Sequence, residues 1–417
     1  MSTDGAPGSA LERRLGTFDA AVIGVGSMVG AGVFAAIGPA AESAGSWLVL
    51  GLAVAAFVAF CNAVASAQLA AQYPLSGGTY VYGREQLGPW WGFAAGWCFV
   101  TGKTASCAAM ALTFGAYVAP GSGVVRRLLG ILAVVALTAV TLRGIERTAQ
   151  LTRWLVALSV GVLVLTVAIL STSGETDTGG LTVGEPDAYG VLQAAGLLFF
   201  AFAGYARIAT LAEEVRDPAR TIPRAIVTAL AAVLLLYLAV AVSALLVAGP
   251  DALAVSSAPL RTAVELAGAD WAKPLVTAGA VVASLGALLA LLAGVARTAL
   301  AMGRNRDLPS RLAAVDPGRS VPVVAQIAVA AVVMLLVATI DLRGMLGFSS
   351  FGVLLYYAVA NASAWTQEDR ARRWPRALQA AGLAGCLTLV VTLPPVSVVA
   401  GVAVLAVGCL GRVLTRG

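Results

Sequence analysis

The sequence contains no histidine, and only 12% of its 417 residues are charged. The absence of histidine excludes imidazole acid–base catalysis and histidine-ligated metal sites. Soluble domains carry roughly 25% charged residues, so a chain this poor in charge and 59% hydrophobic is predicted to be a membrane protein throughout. The five cysteines all lie in apolar segments, and we expect free, packed thiols without a disulfide framework.

Charged residues are scarce inside the apolar segments. Lysine occurs only as Lys103 and Lys273, and no Asp or Glu lies well inside an apolar segment. A membrane-embedded hydrolase or metalloprotease would need paired carboxylates or metal ligands, so we expect neither an enzyme nor a cofactor or metal site. The net charge of +6 is spread over short loops and does not indicate a nucleic-acid partner.

Twelve apolar segments are candidates for membrane-spanning helices. They run approximately over residues 18–40, 47–71, 89–119, 124–142, 151–171, 190–212, 225–248, 274–302, 321–340, 344–365, 376–393 and 395–411. With a cytoplasmic N-terminus, nineteen of the 27 basic residues lie in inside loops and five in outside loops, which predicts that both termini are cytoplasmic. The other three, Lys103, Arg207 and Arg297, lie within segments.

Two of the segments carry glycines at their middle. The first reads VIGVGSMVGAGVFAAIGPA from Val22 to Ala40, and the sixth contains Phe202-Ala203-Gly204-Tyr205. Glycine destabilises a helix by roughly 1 kcal/mol relative to alanine, so both helices are predicted to be interrupted there. Interrupted spans one and six are typical of an inverted repeat with a binding site at the bilayer midplane. The alternative is that Gly26 and Gly30, spaced as GxxxG, serve only close helix packing.

These features predict an all-α integral membrane protein with twelve transmembrane helices. It would comprise a five-plus-five inverted repeat with interrupted helices 1 and 6, followed by two C-terminal helices. The expected units are a cytoplasmic N-terminal tail at 1–16, a first repeat at 17–172, a second at 189–366, and the C-terminal helices with a short tail at 374–417.

Four motifs, in order, resemble the amino acid–polyamine–organocation superfamily, specifically its bacterial amino acid permeases. They are GSMVGAGVF at 26–34, YPLSGGTYVY at 73–82, FFAFAGY at 199–205 with AEEVRDPARTIPRAI at 212–226, and ARTALAMGRNRDLP at 296–309. The resemblance covers roughly residues 17–365. None of the motifs selects a substrate.

The resemblance implies a substrate site at the two interruptions. The substrate carboxylate would bind backbone amides near Val29, Gly30, Ala31 and Gly32, where a half-helix begins. The ammonium would bind carbonyls that end the other half-helices, near Ile23, Gly26, Phe200 and Ala203. Further residues of the predicted site are Ser27, Met28, Ala201, Phe202, Gly204 and Tyr205. Phe202 or Tyr205 would be an aromatic lid, with plain helix packing as the alternative.

Coupling and gating residues are expected among the charged positions. A lysine at the centre of a span costs about 2.5–3.5 kcal/mol to insert, which makes Lys103 a functional candidate, although its stem could instead reach a water-filled vestibule. Many members of the superfamily carry a fifth-span lysine in place of a bound sodium ion, and here that position is Ser159. Lys103 could supply the fixed charge, or a sodium ion could bind with Ser284. Arg207 could form a gate with Glu213 or Glu214, or it could be a helix-end arginine that faces the cytoplasmic vestibule.

The expected function is secondary active transport of amino acids by alternating access in the cell (inner or plasma) membrane. An amine or polyamine is the alternative substrate, because it shares the ammonium group. A non-transporting amino acid sensor on the same fold is the alternative class of protein. A proton, a sodium ion or an exchanged substrate could couple to transport.

Overall fold

The computed structural model describes residues 16–73, 77–144, 149–173, 187–205, 208, 215–316, 321–368 and 372–416. Within these ranges the chain is mostly helical, and a β-bridge pairs Asp316 with Val321. The all-α prediction is confirmed. The helices are α1 Thr17–Met28, α2 Ala31–Ala35, α3 Ile37–Ala44, α4 Leu48–Gln72, α5 Thr79–Leu87, α6 Pro89–Val118, α7 Gly123–Leu142, α8 Ala149–Thr172, α9 Ala188–Phe202, α10 Pro218–Val255, α11 Pro259–Leu266, α12 Lys273–Arg304, α13 Val323–Thr339, α14 Leu342–Trp365, α15 Arg376–Thr392 and α16 Pro395–Arg416.

Eight helical stretches of the described chain are long and apolar enough to cross a membrane, judged by length and composition. They are Thr17–Ala35, Ile37–Gln72, Gly123–Leu142, Arg153–Thr172, Arg220–Val255, Asp270–Arg304, Leu342–Trp365 and Pro395–Leu414. Helices α9, α13 and α15 are apolar but shorter. The 30-residue α6 carries the buried Lys103. The chain is therefore a multi-pass membrane protein, and twelve spans remain an expectation.

The outer surface of the helix bundle is apolar. Leu132 on α7 is 63% exposed, and Leu335 on α13 is 62% exposed. Exposed leucines and valines continue along the C-terminal helix α16. A continuous apolar surface of this kind is unfavourable in water and is what a hydrocarbon environment accepts.

Three stretches of helix differ from the sequence-based expectation. Helices α5 and α11 lie in segments expected to be loops, because 9 and 8 residues are too few for a hydropathy pattern of spanning length. Helix α10 continues beyond the expected end at 248, with a kink at Gly249, whose φ of +68° is easily adopted only by glycine. Pro250, next in the chain, starts the short continuation.

The centre of the bundle is formed by α6 and α14, which pack extensively against each other. Their backbones approach at two glycines, since a Cβ on Gly102 would lie 3.1 Å from the Cα of Gly352. One turn further, the hydroxyl oxygens of Ser106 and Ser349 are 2.6 Å apart. Small residues permit this close approach, which is the usual way in which helices associate in membranes. It places Lys103 in the protein interior.

A buried ion cluster fastens the C-terminal helix to the bundle. Asp307, just after α12, accepts a hydrogen bond from the Tyr80 hydroxyl at 2.7 Å and pairs with Arg412 of α16 at 2.9 Å. Arg84 lies 3.4 Å from the same carboxylate. The Arg412 guanidinium also stands 4.6 Å from the ring centre of Phe93. Burial, together with the hydrogen bond to Asp307, raises the pKa of Tyr80 to about 12, so this phenol remains a donor at physiological pH.

The Asp307 cluster predicts a large effect on stability. Asp307→Asn removes the negative charge that faces Arg412, and breaking a buried pair destabilises by about 3–5 kcal/mol. We expect a clear fall in the thermal unfolding midpoint in detergent. Asp217→Asn is the matched control, because the Asp217–Arg220 pair is exposed and 3.8 Å long, and such pairs contribute less than about 1 kcal/mol. Equal midpoints for the two variants would contradict the assigned role.

Candidate functional site

The first span is interrupted between α1 and α2. Helix α1 ends at Met28, and Val29 and Gly30 have non-helical backbone angles, with ψ values of 76° and −147°. The Val29 amide donates to Val25 O at 2.7 Å, and the Gly30 amide donates to Met28 O at 2.8 Å. The next two amides, of Ala31 and Gly32, open the following helix, and the first amides of a helix have no partner within that helix.

The helix that follows the interruption is longer than α2 alone. Ala36 joins α2 to α3 with helical angles, and its amide donates to Gly32 O at 2.8 Å. The amide of Ala40 in turn donates to Ala36 O at 3.0 Å. The chain from Ala31 to Ala44 therefore runs as nearly continuous helix, whose first amides point toward the break.

The sixth span is interrupted at the same depth. Helix α9 ends at Phe202, and Ala203, Gly204 and Tyr205 form a turn. The Ala203 amide makes only a long bond, 3.4 Å, to Phe200 O. Both interruptions that the glycines predicted are thus present among the described residues.

The two interruptions contact each other directly. A Cβ on Gly204 would overlap the carbonyl of Ser27, and a Cβ on Gly32 would lie 2.5 Å from the Cα of Ala201. Both neighbours are backbone atoms, which cannot rotate away as a flexible side chain could. Glycine is therefore required for the two breaks to meet, and together they are one candidate site.

Tyr237 of α10 ties the two interruptions together. Its hydroxyl lies 2.8 Å from Met28 O and 3.2 Å from Ala201 O, so its single proton is shared between the carbonyls of the two broken helices. The ring is 2% exposed and packs on Phe202, with ring centres 5.3 Å apart. Sequence reasoning missed this residue, although a lone tyrosine in the aliphatic run LLLYLAV was a signal.

Lys103 of α6 reaches the second interruption. Its Nζ lies 3.3 Å from Ala203 O, the carbonyl at the end of α9, and the side chain is almost wholly buried. The Tyr357 hydroxyl of α14 also donates to this carbonyl, at 3.4 Å. A carbonyl that ends a helix carries the negative end of the helix dipole and favours a cation. Lys103 therefore contacts the second interruption directly.

The aromatic residues of the sixth span are fully buried. Tyr205 stacks on Tyr357 with ring centres 5.0 Å apart and planes inclined by 27°. Phe202 packs on Tyr237, as described above. These contacts are those of helix packing, so a lid role would require one of the rings to move.

The other predicted residues have different surroundings. The Ser27 hydroxyl donates to Ile23 O at 2.8 Å, and the Ser159 hydroxyl donates to Leu155 O at 2.9 Å within its own helix. A Cβ on Gly26 would meet Val156 of α8, which is the close packing that the GxxxG alternative describes. Met28, Ala31, Phe200 and Ala201 are buried. Arg207, Glu213 and Glu214 lie outside the described residues.

A polar cluster joins three helices at the end of the bundle where α3 terminates. Arg343 of α14 pairs with Glu42 of α3 and lies 3.2 Å from both Ser43 Oγ and Gln193 Oε1. The Ser43 hydroxyl is 3.1 Å from the same Gln193 oxygen, on α9. This cluster connects the helices that continue from the two interruptions, α3 and α9, to α14. Sequence reasoning missed this cluster, because Gln193 lies 150 positions and Arg343 300 positions from Ser43.

Comparison with known proteins assigns the family. A family model described as amino acid permease matches residues 15–411. The chain belongs to this family. The family lies within the amino acid–polyamine–organocation superfamily, as the motifs indicated.

The relatives of this permease are transporters. It is 57% identical over 411 residues to an uncharacterised transporter of Mycobacterium tuberculosis, covering 97% of this chain and 93% of the relative. It is 26% identical to the branched-chain amino acid permease BcaP of Bacillus subtilis, covering 93% and 90% of the two chains. It is 29% identical to cationic amino acid transporter 7 of Arabidopsis thaliana, covering 85% of this chain and 65% of the relative. The permease is thus a transporter of small molecules.

The contact between the breaks predicts that a methyl group added at Gly204 lowers the stability of the protein. Gly204→Ala forces the two backbones apart, and overpacking of this kind typically destabilises by about 1–3 kcal/mol. We expect a lower thermal unfolding midpoint for the purified permease. The control is Gly161→Ala on α8, where an added Cβ meets no atom within 4 Å. Wild-type stability for Gly204→Ala would contradict the close contact of the breaks.

Proposed function

We propose that this permease is a secondary active transporter that moves amino acids across the cell membrane by alternating access. Its substrate site is the region where the two interrupted helices meet. The observation that carries the proposal is the direct contact of Gly204 with Ser27, which brings the first amides of one helix close to the last carbonyls of the other. An amino acid zwitterion carries a carboxylate that complements the amides and an ammonium group that complements the carbonyls. No catalytic step is required, and the permease is not an enzyme.

The carboxylate pole is the start of the helix at Ala31. Within the proposed set Val29, Gly30, Ala31 and Gly32, the first two amides already donate to carbonyls of α1. The amides of Ala31 and Gly32 are the donors for the substrate carboxylate. The positive end of the following helix adds to their attraction for an anion.

The ammonium pole consists of carbonyls that end α1 and α9, near Ile23, Gly26, Phe200 and Ala203. These carbonyls carry the negative ends of two helices, which favours a cationic group. Ser27, Met28, Ala201 and Gly204 shape the space between the poles. Phe202 or Tyr205 closes over the substrate once its ring leaves the packed position.

The proposed topology has twelve spans with both termini in the cytoplasm. Residues 17–172 and 189–366 form the two inverted repeats, and 374–417 adds two helices. The distribution of basic residues over the loops supports this orientation. The cluster of Arg343, Glu42, Ser43 and Gln193 then lies at the outer end.

Alternating access requires closures on both sides of the site. At the proposed outer end, the Arg343 cluster holds α3, α9 and α14 together. At the proposed inner end, Asp19 of α1 pairs with Arg153 of α8 at 2.9 Å. Arg207, Glu213 and Glu214 complete the inner closure in this proposal. Opening one end therefore means breaking one of two separate sets of polar contacts.

Lys103 is the proposed fixed charge of the transport cycle. It replaces a coupling cation, since Ser159 stands where many relatives in the superfamily carry a lysine. The contact between Lys103 and Ala203 O supports this role, because it joins the charge to an interrupted helix. Transport independent of a sodium gradient is the corresponding expectation.

The decisive comparison is between amino acids and their decarboxylated amines. We expect intact amino acids to raise the thermal unfolding midpoint and to support counterflow in proteoliposomes, because only they engage the amides of Ala31 and Gly32. A ligand at a hundredfold its Kd stabilises by about 2.7 kcal/mol, which is readily measured. The matched amine lacks the carboxylate and should do neither.

Three other outcomes would contradict the proposal. Stabilisation by amines alone would make the protein an amine or polyamine transporter. Stabilisation by amino acids without counterflow would make it a sensor. Counterflow that vanishes when external and internal sodium are removed would assign coupling to an ion at Ser159 and Ser284 and not to Lys103.

A further inference from the structure

Lys103 carries a buried charge that the described protein does not neutralise. The side chain is 8% exposed, and no carboxylate of the described residues lies within 4.0 Å of its nitrogen. Its one hydrogen-bond acceptor among these residues is Ala203 O, at 3.3 Å. A buried ammonium without an opposite charge is unfavourable, and buried charges in proteins are usually paired. The site is therefore poised to accept an anion.

The Lys103 ammonium group also has N–H donors that are not used by the described residues. A lysine ammonium has three N–H groups, and the carbonyl of Ala203 takes one. Two remain for a ligand placed between α6 and the break in the sixth span. The Tyr357 hydroxyl donates to the same carbonyl at 3.4 Å and therefore lies beside the lysine.

The position of Lys103 affects the binding affinity of substrates according to their charge. Ala203 O belongs to the proposed ammonium pole, and it already carries a cation. Every amino acid would bring its ammonium group to this pole, and a cationic amino acid or a polyamine would add a second positive charge near Lys103, where like charges in a low-dielectric interior repel strongly. A neutral zwitterion would leave the lysine charge uncompensated. A substrate with a second carboxylate would neutralise it.

We propose that Lys103 is a specificity-determining residue that selects amino acids with an acidic side chain and excludes cationic ones. The inference rests on the proposed amino acid transport and names its substrate class. The substrate's first carboxylate binds the amides of Ala31 and Gly32, and its side-chain carboxylate binds Lys103 Nζ. This permease would then transport a different class of substrate from the relatives named for branched-chain and cationic amino acids.

The binding of glutamate, glutamine and arginine to the wild-type permease in detergent tests the proposal. We expect the Kd of glutamate, from thermal-shift titration, to be at least tenfold lower than that of glutamine, and arginine to give no shift. Glutamine is the matched ligand because it differs from glutamate only in losing the side-chain charge. Equal Kd values for glutamate and glutamine, or tight binding of arginine, would overturn the proposal.

Substitution of the lysine tests its role directly. Lys103→Gln should bring the ratio of the two Kd values close to one while glutamine still binds, and Lys103→Arg should retain most of the preference. Lys273→Gln is the matched control, since Lys273 is the other lysine of the chain and pairs with Asp270 and Glu265 at the start of α12. An unchanged glutamate preference in Lys103→Gln would overturn the assignment to this residue.

Two outcomes separate this inference from the proposed function. If neutral or cationic amino acids bind and exchange but glutamate does not, amino acid transport is supported and the selection of acidic side chains by Lys103 is wrong. If no amino acid of any charge binds, the proposed function itself fails. Glutarate, which lacks the ammonium group, should bind at least tenfold more weakly than glutamate, and equal binding would overturn the amino acid class.

Discussion

The structure depends on the rule that backbone polar groups inside a membrane must be satisfied by the protein, because lipid offers no hydrogen bonds. Two helices of this chain break at mid-length and expose amides and carbonyls there. The breaks are tolerated because they are buried against each other at Gly204 and Gly32. Tyr237 bonds carbonyls of both, and Lys103 and Tyr357 bond a third. The first amides of the helix at Ala31 are the groups that the proposed substrate carboxylate would satisfy.

The proposed alternation would break contacts that can open without exposing the core. The glycine-lined centre of α6 and α14 and the buried Asp307 cluster are closely packed, so they would stay together. The contacts of Arg343 at one end and of Asp19 with Arg153 at the other are partly exposed and polar, so water can replace them. The helices on either side of the breaks can therefore shift at modest cost, which is the physical basis for the proposed alternation.

Local features of the fold and the site were predictable from sequence, and long-range pairings were not. The glycines of GSMVGAGVF and FAGY predicted both interruptions, because glycine weakens a helix wherever it stands. Lys103 was predicted as functional from its isolation in an apolar segment. Its partner, Ala203 O, was not, since it lies 100 positions away. Tyr237, the Arg343 cluster and the Asp307–Arg412 pair were missed for the same reason. Helices α5 and α11 were missed because they are too short for a spanning pattern.

The central claim is that the two contacting breaks hold the substrate, and a cryo-EM map of the permease saturated with a transported amino acid tests it most directly. We predict ligand density between Ala31–Gly32 and the turn at 203–205, with carboxylate oxygens about 2.7–3.2 Å from the two amides of the first break. Density at any other place in the bundle, with the region between the breaks closed by protein atoms, would contradict the account.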